Sequence, residues 1–182
     1  LLRSEVPAAE QTSDSVGAGT LWFHPPVTGG PVAYTSFGSI FVSNADGTQP
    51  DNLGGTQPST PVLSPDGTKI AYADSGDIMV RAVGGGTALD VTLGSSAADI
   101  DPTWAPDSQH LAFATNRDGN YEIYKVTVTG LTAGDVSGLT RLTNNTTDDT
   151  EPDWSSTGKI AFTGVTTVAP GQFRWDVYTM NS

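Results

Sequence analysis

The 182-residue chain has no cysteine, which excludes a disulfide framework and any thiolate metal site. It carries only 8 Lys and Arg against 20 Asp and Glu, for a net charge of -12. Phosphate backbones and anionic lipid surfaces are held by clustered basic side chains, so nucleic-acid and membrane-surface partners are disfavoured. No run of 18 apolar residues occurs, so nothing reads as a membrane-spanning helix. Absent too is any sustained apolar face at the helical period. What is plentiful is Gly (21), Pro (12), Ser, Thr and Asn, a balance that favours strands and turns. The acid excess leaves two readings open: a self-repelling surface, or a face for a cation or a basic partner. The chain starts Leu1-Leu2-Arg3 without Met, as a mature form or an excerpt of a longer chain would.

Against this background one pattern recurs. Its clearest copy is Pro102-Thr-Trp-Ala-Pro-Asp-Ser, followed by Leu111-Ala-Phe, Asn116-Arg-Asp-Gly, Glu122-Ile-Tyr and Arg141-Leu-Thr. Other copies begin at Pro61-Val-Leu-Ser-Pro-Asp-Gly and Pro152-Asp-Trp-Ser-Ser-Thr-Gly. A degenerate first copy runs from Leu21-Trp-Phe-His-Pro through Pro31-Val-Ala-Tyr. An Ala-aromatic pair marks each copy: Ala33-Tyr34, Ala71-Tyr72, Ala112-Phe113 and Ala161-Phe162, spaced 38, 41 and 49 residues apart. A period near 40 without amphipathic helices fits a four-stranded propeller blade. In each copy the first strand places Trp22, Leu63, Trp104 or Trp154 at one buried position, and a Pro-Asp-Gly type turn follows. The second strand is a short apolar run, the third alternates, and the fourth is short: Asp51–Leu53, Asp90–Leu93 and Thr140–Thr143. In the last copy the third strand, Trp175-Asp-Val-Tyr-Thr-Met, follows a longer loop. Stacked blades bury both faces of such a meander, so the Trp and Phe residues are expected in the core.

These residues resemble the TolB-type propeller repeat, a relative of the WD repeat. Residues 102–143 carry nearly all of the pattern, 58–93 and 151–180 most of it, and 20–53 a weak form. The resemblance implies an all-β propeller of about four four-stranded blades, at 20–57, 58–98, 99–148 and 149–182, preceded by an arm at 1–19. It defines a module and not an activity. Propellers of this family usually have six or more blades, and the last copy here stops after its third strand. That open edge must be covered. Three solutions stand: the arm Leu1–Val6 pairs there within the chain, the arm of a neighbouring copy does so, or further blades follow. Strand uptake would be carried by Leu1, Leu2 and Val6 on one side and Tyr178 and Met180 on the other, giving oligomers or filaments.

Sites for chemistry are sparse. Acids precede the first strands of two blades, in Asp99-Ile-Asp101-Pro102 and Asp148-Asp149-Thr-Glu151-Pro152. In the family this inter-blade loop sits at the mouth of the central channel, where Asp99, Asp101, Asp149 and Glu151 are the candidate ligands for Ca²⁺. The alternative is loop solubility and turn capping. Asp118-Gly119-Asn120-x-Glu122 lacks full calcium-loop spacing and reads as a hairpin turn. His24 and His110 have no metal-motif spacing, and no Gly-x-Ser-x-Gly elbow occurs. Asn144 and Asn145 head overlapping glycosylation sequences. The sequence therefore points to a non-catalytic extracellular or periplasmic module that binds itself or another protein, with no resident cofactor unless Ca²⁺ binds. An enzyme or enzyme subdomain acting on glycans or peptides, in which His110 meets Asp101, and a Ca²⁺-dependent binder are the alternatives.

Overall fold

The computed structural model describes residues 30–92 and 94–182. These form 14 strands in four antiparallel sheets, with one short 3-10 turn at Ala133–Asp135. Sheet 1 holds β1 (Val32–Ser36), β2 (Ser39–Ser43) and β3 (Asp51–Gly54). Sheet 2 holds β4 (Pro58–Leu63), β5 (Lys69–Asp74), β6 (Asp77–Ala82) and β7 (Leu89–Asp90). Sheet 3 holds β8 (Asp99–Trp104), β9 (His110–Thr115), β10 (Glu122–Val128) and β11 (Val136–Arg141). Sheet 4 holds β12 (Asp149–Trp154), β13 (Lys159–Ala169) and β14 (Gln172–Asn181). Each sheet is a meander of sequential neighbours. The first strand expected at Leu21–Pro25, with Trp22, and the arm with Leu1, Leu2 and Val6 lie outside the described residues.

Local chemistry explains the meanders. After β4 the Gly67 amide closes on the Ser64 carbonyl at 2.8 Å, and Asp66 accepts from the Thr68 amide at 3.0 Å. After β8 the Ser108 amide closes on Ala105 at 3.0 Å, and after β12 Gly158 closes on Ser155 at 3.0 Å. The last turn residue needs a positive φ, supplied by Gly67 (71°), Ser108 (57°) and Gly158 (82°). The first strands share a second device. Thr60, Asp101 and Glu151 each precede a proline, each has a positive φ (45°, 54° and 52°), and each sits at a β-bulge.

The core is three slabs between successive sheets. Ile40, Ile70 and Tyr72 bind sheet 1 to sheet 2. Ala71, Ile78 and Val80 meet Trp104, Leu111 and Phe113 between sheets 2 and 3. Ala112, Ala114 and Ile123 meet Ile160 between sheets 3 and 4, with Phe162 and Met180 at the margin.

Three expectations need correction. The loop expected before Trp175 is an extension of the β13–β14 hairpin. The β-branched run Val165–Val168 keeps pairing, and Pro170-Gly171 makes the turn. The acids expected in loops lie inside β8 and β12. The core is not the place of every aromatic: Trp104 is buried, but Phe37, Phe173 and Trp175 are exposed, because no described sheet packs over them.

Candidate functional site: the joints between sheets and the free side of sheet 4

At the joints into sheets 3 and 4 the chain arrives from the fourth strand of the preceding sheet and opens the next at an acid that bonds the residue just before the preceding sheet's third strand. The Asp99 amide donates to the Gly76 carbonyl at 2.8 Å, and the Asp149 amide donates to the Tyr121 carbonyl at 2.8 Å. Beside these bonds the motif acids are consumed by structure. Asp99 is fully buried and pairs with Arg117 at 3.2 Å. Arg117 also lies over the rings of Phe113 and Tyr124. Glu122 is fully buried, and its Oε1 accepts from Arg141 (2.9 Å), Asn120 (2.9 Å) and the Asn145 amide (2.8 Å). Arg141 also bonds Asp118 at 3.0 Å, and Asp118 accepts from the Tyr124 hydroxyl. Burial and Asp118 push the Tyr124 phenol up to about 12. The segment that faintly resembled a calcium loop is thus a hairpin turn whose carboxylates hold Arg141.

The four candidate metal ligands do not form one cage. Asp149 is buried and accepts from Asn145 Nδ2 at 2.7 Å. Asp101 instead feels the charge of Glu151. Glu151 accepts from the Thr163 hydroxyl at 3.0 Å. Among the described residues no three His, Asp or Glu side chains converge with metal-ligand geometry. Burial raises the carboxyls of Asp99, Asp101 and Asp149, and Glu151 raises Asp101 further. For Glu122 burial acts upward too, but hydrogen bonds led by Thr143 and the Asn145 amide hold it below the usual range.

His110 opens β9, and its Nδ1 lies 2.7 Å from Asp107, not from Asp101. His24 lies outside the described residues. Asn144 and Asn145 are both exposed, and the Asn145 side chain is occupied by Asp149 and by the Thr147 amide and hydroxyl.

Sheet 4 differs from its neighbours in what it leaves open. The Val165 amide donates to Asp148 at 2.9 Å, on the side away from β14. Val165 and Trp175 are therefore a cross-strand pair whose amides point apart. The same parity turns the amides of Val177 and Thr179 toward the free edge. Val177 stands where Ile123 stands in sheet 3, since Thr163↔Val177 repeats Ala114↔Ile123. There the Ile123 carbonyl accepts the Leu142 amide at 2.8 Å, and its amide donates to the Thr143 hydroxyl at 2.9 Å. Among the described residues no strand makes those bonds for sheet 4. Beside the edge lies a shallow cleft of ≈ 460 Å³ lined by Glu151, Thr163, Trp175, Asp176 and Val177. Tyr178 stacks on Phe162 at 5.7 Å, and Met180 pairs with Ile160, so both of the expected assembly residues on β14 look toward sheet 3. The open face belongs to Phe173, Trp175 and Val177, which sequence reasoning missed as surface residues.

Sequential meanders of three or four strands, buried against one another face to face, define a β-propeller. The chain belongs to the PD40 TolB β-propeller domain family, whose model matches residues 31–180. Among solved structures it is similar to a TolB of Agrobacterium tumefaciens, at 21% identity and a TM-score of 0.66, over 82% of this chain and 59% of that one. It is also similar to TolB of Acinetobacter baumannii (23%, TM-score 0.59, 77% and 34%). A puromycin-hydrolysing peptidase of Mycobacterium tuberculosis shares the fold as well (18%, TM-score 0.58, 77% and 24%). The chain thus spans less than two thirds of each, and one fold serves proteins of different activity. No helix among the described residues is long and apolar enough to cross a membrane.

Proposed function

We propose that this protein is a non-catalytic interaction and structural module of the periplasm or cell exterior that works by taking up a strand on the free edge of sheet 4. The observation that carries this reading is the set of outward amides at Trp175, Val177 and Thr179, at positions that sheet 3 fills with its own chain. An added strand gains main-chain hydrogen bonds there, and alternate side chains meet the flanking surfaces. The supplier is the N-terminal arm with Leu1, Leu2 and Val6, from the same chain or a neighbouring one. Recruitment of the repeat's acids into ion pairs and turns supports a role without catalysis and without a resident metal. The likeness to TolB supports the periplasmic placement. Hydrogen exchange on the full chain and on a chain lacking residues 1–19 tests it. The Val177 and Thr179 amides should be protected in the first and exchange freely in the second. Equal exchange in both would overturn strand uptake by the arm.

A further inference from the structure

Sheet 3 carries one unbroken line of charged and polar side chains from its joint with sheet 2 to its joint with sheet 4. The line starts at Asp99, fully buried at the head of β8, which pairs with Arg117 at 3.2 Å. The Arg117 guanidinium lies 5.0 Å from the centre of the Tyr124 ring. The Tyr124 hydroxyl donates to Asp118, and Asp118 pairs with Arg141 at 3.0 Å. Arg141 reaches on to buried Glu122 at 2.9 Å, and Glu122 accepts the Asn145 amide at 2.8 Å. Asn145 Nδ2 then donates to Asp149, buried at the head of β12, at 2.7 Å.

The inner members each serve two partners, so none can move without leaving a neighbour short of a charge or a donor. Arg141 holds Asp118 and Glu122 at once, and Asn145 holds Glu122 and Asp149. Most of the links are charge-assisted, and burial strengthens bonds that polarise one another. The two ends are the very residues whose amides stitch the joints, Asp99 to Gly76 and Asp149 to Tyr121.

We infer that this line couples the two joints of sheet 3, so that loosening one loosens the other. Contiguous contacts that share partners carry such coupling, and exchange between variants measures it. Every member lies between the heads of β8 and β12, so the coupling depends neither on the edge of sheet 4 nor on strand uptake there. Asp118 is the link to cut. Its side chain is 37% exposed, so its loss empties no core, and the pairs Asp99–Arg117 and Glu122–Arg141 on either side outlast it.

Amide hydrogen exchange on the full chain reads both ends. Asp99→Asn should speed exchange of the Asp149 amide about fivefold or more, within the usual range of coupling between sites. With Asp118→Ala in place, the same substitution should move that amide less than about twofold, below that range. Asp149→Asn should speed the Asp99 amide by a comparable factor, since coupling is reciprocal. Ile78→Val thins the packing between sheets 2 and 3 without touching the line, and should leave the Asp149 amide as it was. Arg117→Lys keeps the charge, loses the flat fork, and takes the place of Asp99→Asn should that chain not fold. An Asp149 amide that ignores Asp99→Asn overturns the inference. So does one that is speeded equally with Asp118→Ala in place, or as much by Ile78→Val through general unfolding.

Discussion

Sheets 3 and 4 are two castings of one repeat, and their equivalent positions live in different surroundings. Ile123 is 0% exposed, while Val177, its counterpart, is 77% exposed. Glu122 is buried beneath Arg141 and the linker to sheet 4, while Asp176, its counterpart, pairs with exposed Arg174 at 2.6 Å. The local fold is the same in both. What differs is whether a following sheet and its linker cover the third strand. Burial in this molecule is thus a property of the joint and not of the repeat.

The largest contrast is expected at the acids. Glu122→Ala strips the acceptor from Arg141, Asn120 and the Asn145 amide, and should cost about 3–5 kcal/mol, as loss of one partner from a buried pair does. Asp176→Ala should leave the denaturation midpoint where it is. Equal losses would break the comparison. Next come the apolar counterparts: Ile123→Ala should cost about 2–5 kcal/mol by cavity formation. Val177→Ala should stay within about 0.5 kcal/mol, as exposed substitutions do, with urea titration as the readout. The smallest effect is on pH. Burial raises Asp99 and Asp149, so the folded chain binds their protons more readily than the unfolded chain. Their contribution to stability therefore grows as pH falls through the raised values, and fades as pH rises. Glu122 is lowered and acts oppositely, its contribution being lost only in stronger acid. Asp149→Asn keeps an acceptor for Asn145 and should flatten the rise in Tm on mild acidification. An unchanged profile would show that this joint does not titrate.

Much of this was legible from residues alone. The Ala-aromatic pairs and the Pro-Asp-Gly turns are local devices, and they mark the second strands and the first turns where the structure has them. Among the described residues sheet 4 has three strands, in the order that the repeat pattern predicts for the first three strands of a copy. The acids were not legible in this way. Asp99 and Asp149 look like solvated linker residues, and only the fold shows Arg117 and Asn145 waiting for them. Trp175 and Phe173 were hidden for the same reason: an aromatic in a strand is buried only if something lies over it. The long hairpin was misjudged because Pro170-Gly171 punctuates the strand run without ending the pairing.

The bulges of the first strands carry one more consequence. Thr, Asp and Glu occupy the same left-handed position before a proline in three successive sheets, although β-branched Thr pays most for that geometry. The backbone there is imposed by the scaffold, and the side chain is a free variable. Sheets 2, 3 and 4 thereby each offer one such position, and Asp101 in sheet 3 feels the charge of Glu151 in sheet 4. Point substitution at these three positions can therefore change the charge between neighbouring first strands while the packing that holds the sheets together stays as it is.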